Sequence, residues 1–135
     1  MKRLLDLTCA HYGFKMMDKV KEVFGDKSKV ENHLQKSLGI LQEDGVFAFF
    51  IYQGAKGNKA GETLTCQSIE LLKEVNIMKD VTCEGDMIQK LNKIREALNR
   101  EDRLDRLILA KKVLSRALTY AWYHARALPE SEGKK

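Results

Sequence analysis

The sequence predicts an all-α protein: a compact single-domain bundle of five to six helices with a long C-terminal helix. Three observations predict it. Apolar residues recur at spacings of three and four along most of the 135-residue chain. The single proline, Pro129, stands near the end and interrupts no helix interior before it. Only the run from Val46 to Tyr52 has clear strand propensity, and no second convincing strand exists to pair with it. The length suits one buried core and is short for two. A helical domain over residues 1–128 is therefore expected, followed by a disordered polar tail over 129–135.

Leu4, Leu7, Ala10, Phe14, Met17, Val20 and Phe24 mark a first helix of roughly residues 3–24, stopped by Gly25-Asp26. Ser28 with Glu31 reads as a capping box for a second helix, which turns Leu34, Leu38 and Leu41 inward and ends near Glu43. After Asp44-Gly45, Val46 to Tyr52 forms a short, almost wholly buried helix. The glycine- and lysine-rich stretch from Gln53 to Gly61 reads as a flexible surface loop. It lacks the Gly-Lys-Ser/Thr ending and the preceding parallel strand of a nucleotide-binding loop, although Lys56 and Lys59 can reach a nucleic-acid backbone. Leu64, Ile69, Leu72 and Val75 define a fourth helix over 63–76. Thr82 caps a fifth, through Leu98, with Met87, Leu91, Ile94 and Leu98 inward. Asn99 and Asp102 open the last helix, which finishes near Leu128.

Within that helix, a rotation of about 100° per residue lines Leu104, Leu107, Ile108, Leu114, Leu118, Ala121, Trp122 and Ala125 along one apolar arc. Lys112, Arg116, Thr119 and Tyr123 share another face, with Arg126 at its border. On the first helix, Lys15 and Lys19 stand one turn apart. The formal charge of +5 divides into +3 for residues 1–60, −2 for 61–98 and +4 for 99–135. Basic ends around an acidic middle favour a localised anionic partner such as nucleic acid. Flexible cationic heads suit phosphate contacts, which position a strand without reading its sequence. Tyr123 is better placed than the core-directed Trp122 to stack on a base.

Catalysis needs convergent groups, and none converge here. There is no Ser-His-Asp or Cys-His pairing at informative spacing, no His-x-x-x-His and no Glu-x-x-His. No catalytic residue, cofactor or metal is expected. Cys9, Cys66 and Cys83 contain no Cys-x-x-Cys pair and read as buried thiols of a reducing cytosol. A zinc site from Cys9, His11, Cys66 and Cys83 would lack any ligand pair at a recognised spacing. Glu70 and Glu74 read as solvated surface charge. No apolar run reaches bilayer length, and Asp6, His11 and Lys15 interrupt any signal-like segment. A cytoplasmic protein with no membrane partner is expected.

Two blocks carry a family likeness. The first is His33-Leu-Gln-Lys-Ser-Leu-Gly-Ile-Leu-Gln-Glu-Asp-Gly-Val-Phe-Ala-Phe-Phe50, followed by Lys56 and Lys59. The second is Ala117-Leu118 with Trp122-Tyr-His-Ala-Arg-Ala127. Together they resemble the small all-helical subunit of the Cmr-type (type III-B) CRISPR RNA-guided effector complex. In that family a helix ends at an Asn-Gly-Leu turn and runs through Leu-Ala-Phe into a lysine-containing loop; the closing helix carries Ala-Leu and then Trp-Leu-Lys-Arg-Phe-Ala. Gly45 matches the turn glycine, Ala48-Phe49 the Ala-Phe pair, and Lys36 a lysine ahead of it. Gly39 stands where a proline is usual, Asp44-Gly-Val replaces Asn-Gly-Leu, and His124-Ala125 replaces the basic pair, moving that charge to Arg126. The small subunit of the Csm-type complex is the relative most easily confused with it.

The resemblance implies a non-catalytic part in antiviral defence. Such subunits stack beside backbone subunits and copies of themselves, and touch the backbone of target RNA paired to guide RNA. The residues it points to here are Lys15, Lys19, Lys36, Lys56, Lys59, Lys112, Arg116, Tyr123 and Arg126. The competing reading is a helical protein-interaction or regulatory domain that binds no RNA. A DNA-binding regulator fits less well, because the turn at Gln42–Gly45 leads into Phe47–Phe50, too apolar for a groove-reading helix.

Overall fold

The computed structural model describes residues 2–56, 59–79, 81–98 and 104–129. Among them are six helices: α1 (Lys2–Phe24), α2 (Lys27–Asp44), α3 (Val46–Lys56), α4 (Lys59–Glu74), α5 (Met87–Leu98) and α6 (Leu104–Arg126). They form one all-α bundle, with no strand among the described residues. The expected start at Asn99 and Asp102 lies outside the described residues, as does the tail over 130–135. The side chains of Leu98 and Leu104, expected to point inward, lie outside them too.

The first two helices meet at a glycine and a cap. The Gly25 amide donates to the Lys21 carbonyl at 2.7 Å and closes α1. Asp26, not Ser28, caps α2: its carboxylate accepts from the Ser28 amide. Aspartate two residues ahead of the expected box supplies the acceptor, so Ser28 falls inside the first turn. A single residue, Gly45, joins α2 to α3; its φ of 102° is a conformation that L side chains rarely adopt.

In α3, Val46, Phe49, Phe50 and Gln53 are buried while Ile51 is exposed. Those buried positions follow the i, i+3, i+4, i+7 rule of a helix, so the run has one wet edge where an almost wholly buried helix was expected. The expected loop from Gln53 to Gly61 is not a loop. Gln53–Lys56 completes α3 and Lys59 begins α4. A Cβ at Gly61 would collide with the Gln53 carbonyl oxygen, so glycine here serves the close approach of two helices.

Asn76, at φ 64°, ends α4 in a Schellman arrangement: the Ile77 amide donates to the Leu72 carbonyl and the Asn76 amide to Lys73. Arg106 of α6 donates to the Asn76 carbonyl at 2.9 Å and ties this turn down. The fifth helix starts later than expected. Asp86 accepts from the Gln89 amide at 2.9 Å while Gln89 reaches back to the Asp86 amide, a reciprocal cap. Thr82 instead accepts from the Glu84 amide within the irregular segment before it.

The centre of the bundle is the pair α1 and α6, flanked by α4 against α1 and α2 against α6. Cys9 meets Val113, Gly13 meets Ala117 and Tyr120, and Phe14 meets His124, so α1 and α6 run parallel. Tyr12 with Glu74 and Lys15 with Glu70 show α4 running antiparallel to α1. Ala110, Ala117, Ala121 and Ala125 form the inner stripe of α6 with Val113, Leu114 and Leu118. A Cβ at Gly13 would stand 2.6 Å from the Ala117 carbonyl oxygen, so small side chains set this helix separation. Ile108, expected on the apolar arc, is 53% exposed. The true arc is narrower and centred on the alanines, which leaves Ile108 on the wet side.

Candidate functional site

The outer face of α6 brings together four of the residues singled out in the sequence. Lys112, Arg116, Thr119 and Tyr123 line an open groove of about 950 Å³ with Ile108, Lys111, Ser115 and Tyr120 of the same helix and Gln42 of α2. Tyr123 is 60% exposed, its ring beside that of Trp122. A second hollow of about 450 Å³ lies toward α1, between Leu5, Asp6, Cys9 and α6 residues Leu109, Lys112, Val113 and Arg116. Lys112 and Arg116 belong to both. They stand on a ridge with a groove on either side. This ridge mixes cations with exposed apolar surface from Ile108, Leu109 and Tyr123.

Arg116 is not a free cation. Its Nη1 donates to Asp6 Oδ1 at 2.7 Å, and the Tyr120 hydroxyl donates to the same carboxylate at 2.9 Å. The Arg116 guanidinium and then the Tyr120 hydroxyl hold the Asp6 carboxyl below its usual range. The Asp6 carboxylate in turn pushes the Tyr120 phenol upward. Neither Asp6 nor Tyr120 was read from the sequence as a partner of Arg116: the Tyr120 spacing from Arg116 was visible, but Asp6 lies 110 residues away.

A carboxyl with a lowered pKa stabilises the fold above its unfolded value, about 3.9, and that contribution is lost as pH falls through the folded value. Urea midpoints of wild type and Asp6→Asn are therefore expected to differ at neutral pH and converge below about pH 4. A gap that stays constant down to the lowest pH contradicts the linkage.

The remaining candidates lie elsewhere. Lys15 faces α4, 4.0 Å from Glu70 and over the Tyr12 ring at 5.0 Å. It follows Asp6 by nine residues, about half a turn out of phase, so it sits on the opposite flank of α1 from the ridge. Lys19 is half-buried one turn on. Glu70 and Glu74, expected to be surface charge, tie α4 to α1, since Glu74 accepts from the Tyr12 hydroxyl at 2.9 Å. Lys36 lines a shallow hollow on α2 with Gly39, Ile40, Glu43 and Asp44, apart from the ridge. Lys59 is exposed at the start of α4; Lys56 ends α3, its side chain outside the described part. The Arg126 guanidinium rests over the Trp122 ring at 5.0 Å.

Two of the three cysteines differ from expectation. Cys66 and Cys83 form a disulfide with Cα atoms 5.2 Å apart, joining α4 to the segment ahead of α5. Cys9 alone is a free, buried thiol; it donates to the Val113 carbonyl, and burial pushes it up to about 11. At neutral pH such a thiol is protonated and a poor nucleophile. Among the described residues no three His, Cys, Asp or Glu side chains gather as metal ligands. No described helix is long and apolar enough to cross a membrane. Comparison with protein-family models, curated proteins and solved structures gives no match. The likeness described above thus rests on its two sequence blocks alone.

Proposed function

We propose that this chain is a non-catalytic helical subunit of a larger cytoplasmic assembly, docked through the α6 ridge. The assembly that the two sequence blocks suggest is a type III-B CRISPR ribonucleoprotein, in which the ridge lies against the phosphates of guide-paired target RNA. The observation that carries the docking surface is the shared face of Lys112, Arg116, Thr119 and Tyr123 along one groove. Side-chain cations and an exposed ring are the elements a sugar-phosphate strand needs. Neighbours in such an assembly would be backbone subunits and further copies of this chain, with head-to-tail contacts.

The second reading, a protein-interaction domain that binds no RNA, has its own support. Asp6 already answers Arg116, Glu70 answers Lys15, and apolar side chains share the ridge. These internal contacts favour it more directly than they favour an RNA surface.

Affinity purification of the tagged chain from its host separates the two, comparing wild type with the doubly reversed Lys112→Glu/Arg116→Glu. The ribonucleoprotein reading expects a multi-subunit particle carrying short RNAs of uniform length, with the reversed variant depleted from it. With purified RNA, each cation removed should lower the salt dependence of binding by roughly one unit of slope. Recovery of a protein partner without RNA, insensitive to the charge reversal but lost on Ile108→Asp, would establish the second reading and end the first.

A further inference from the structure

We infer that Cys66 and Cys83 are a thiol–disulfide exchange site, in which Lys90 makes Cys83 the leaving thiolate. Lys90 lies one turn into α5 and is only 5% exposed. Its Nζ donates to Cys83 Sγ at 3.9 Å. A buried ammonium needs an anion, and a disulfide sulfur is neutral. Among the described residues Lys90 forms no salt bridge within 4.0 Å. Reduction supplies the missing charge at the sulfur that Lys90 already touches. At this contact the oxidised form sets Lys90 against a neutral sulfur, and the reduced form makes the same contact an ion pair.

Both sulfurs belong to partly exposed residues, and the neighbours Thr82, Glu84, Gly85 and Asp86 are exposed, so a reductant has access. The reductant class is a dithiol. Its thiolate attacks Cys66 Sγ, the Cys66–Cys83 bond breaks, and Cys83 departs as a thiolate beside Lys90, since the better-stabilised thiolate leaves faster. The second thiol of the reductant then resolves the mixed disulfide and leaves as part of a cyclic disulfide. Two electrons pass to the cysteines. Of the two reductant protons, one ends on Cys66 and one is released to solvent.

Opening this link does not dissolve the core. Ile77, Met78 and Val81 anchor the segment from one side and Ile94 anchors α5 from the other, all of them buried. What is released is the tie between the middle of α4 and residues 82–86. A reversible link of this kind is compatible with the cytoplasmic setting proposed above, where lasting structural disulfides are rare.

The test follows reduction of the oxidised chain by dithiothreitol at fixed pH, trapping thiols by alkylation and reading Cys66 and Cys83 by mass spectrometry. Lys90→Met should slow reduction about tenfold and move the equilibrium about tenfold toward the disulfide, with Lys90→Arg close to wild type. On the wild-type chain, limiting glutathione should leave its adduct on Cys66 with Cys83 free. Equal rates and equilibria in all three proteins, an adduct mainly on Cys83, or failure of the oxidised chain to form the disulfide would each overturn the inference. Should Lys90→Met fail to fold, the adduct position on wild type decides alone.

Discussion

Gly61→Ala is expected to lose about 3 kcal/mol of stability, at the upper end of what overpacking usually costs. The added methyl would fall on the Gln53 carbonyl oxygen, which is backbone and has no rotamer to yield. The side chain of Gln53 is held as well, donating from Nε2 to Ser37 Oγ at 2.8 Å inside the protein. α3 therefore cannot slide away from α4 without breaking a buried hydrogen bond to α2, where an orphaned polar group costs about 1–3 kcal/mol. Gly39→Ala is the matched control: it also lies within a helix, with nothing near the position its Cβ would occupy. It should be neutral or gain up to about 1 kcal/mol from helix propensity. Urea unfolding of the two variants side by side checks this; equal stability would show that α3 and α4 do not meet at Gly61.

The second large effect is Phe49→Ala, expected to cost about 3–5 kcal/mol. Phe49 and Phe50 are both fully buried, with ring centroids 5.1 Å apart and planes at 69°. Phe50→Ala should cost as much, while Ile51→Ala at the exposed edge of α3 should stay within about 1 kcal/mol of wild type. The pattern discriminates between structures. A strand would turn residues 49 and 51 to one side and residue 50 to the other, making the two phenylalanines unequal. Two adjacent large losses followed by a small one, measured by the same unfolding, identify a helix packed on one side. A large loss at Ile51 and a small one at Phe50 would contradict it.

That stretch shows where the sequence was legible. Spacings of three and four located the helices, because burial of one face imposes that period on the chain. They located the cationic face of α6 for the same reason: Lys112, Arg116, Thr119 and Tyr123 share it by rotation alone. Glycine was ambiguous. Gly54 and Gly61 look like loop punctuation, but Met87 and the Gln53 backbone crowd them, and close approach demands glycine as strongly as a turn does. Ile108 was misplaced because its character outweighed its position at the edge of the arc. Caps were confused where two polar residues competed, as with Asp26 and Ser28. Contacts between distant residues gave no local signal at all. Asp6 with Arg116, and Cys66 with Cys83, exist only once the helices have packed.

The docking claim itself is most directly tested by hydroxyl-radical footprinting of the chain, free and within the particle purified from its host. Tyr123 and Ile108 are reactive, well-exposed reporters on the ridge, with Phe14 and Ile51 as exposed reporters on other helices. Oxidation of Tyr123 and Ile108 is expected to fall sharply in the particle. Equal oxidation of Tyr123 and Ile108 in the free chain and in the particle would show that the α6 ridge faces solvent there, and would contradict it.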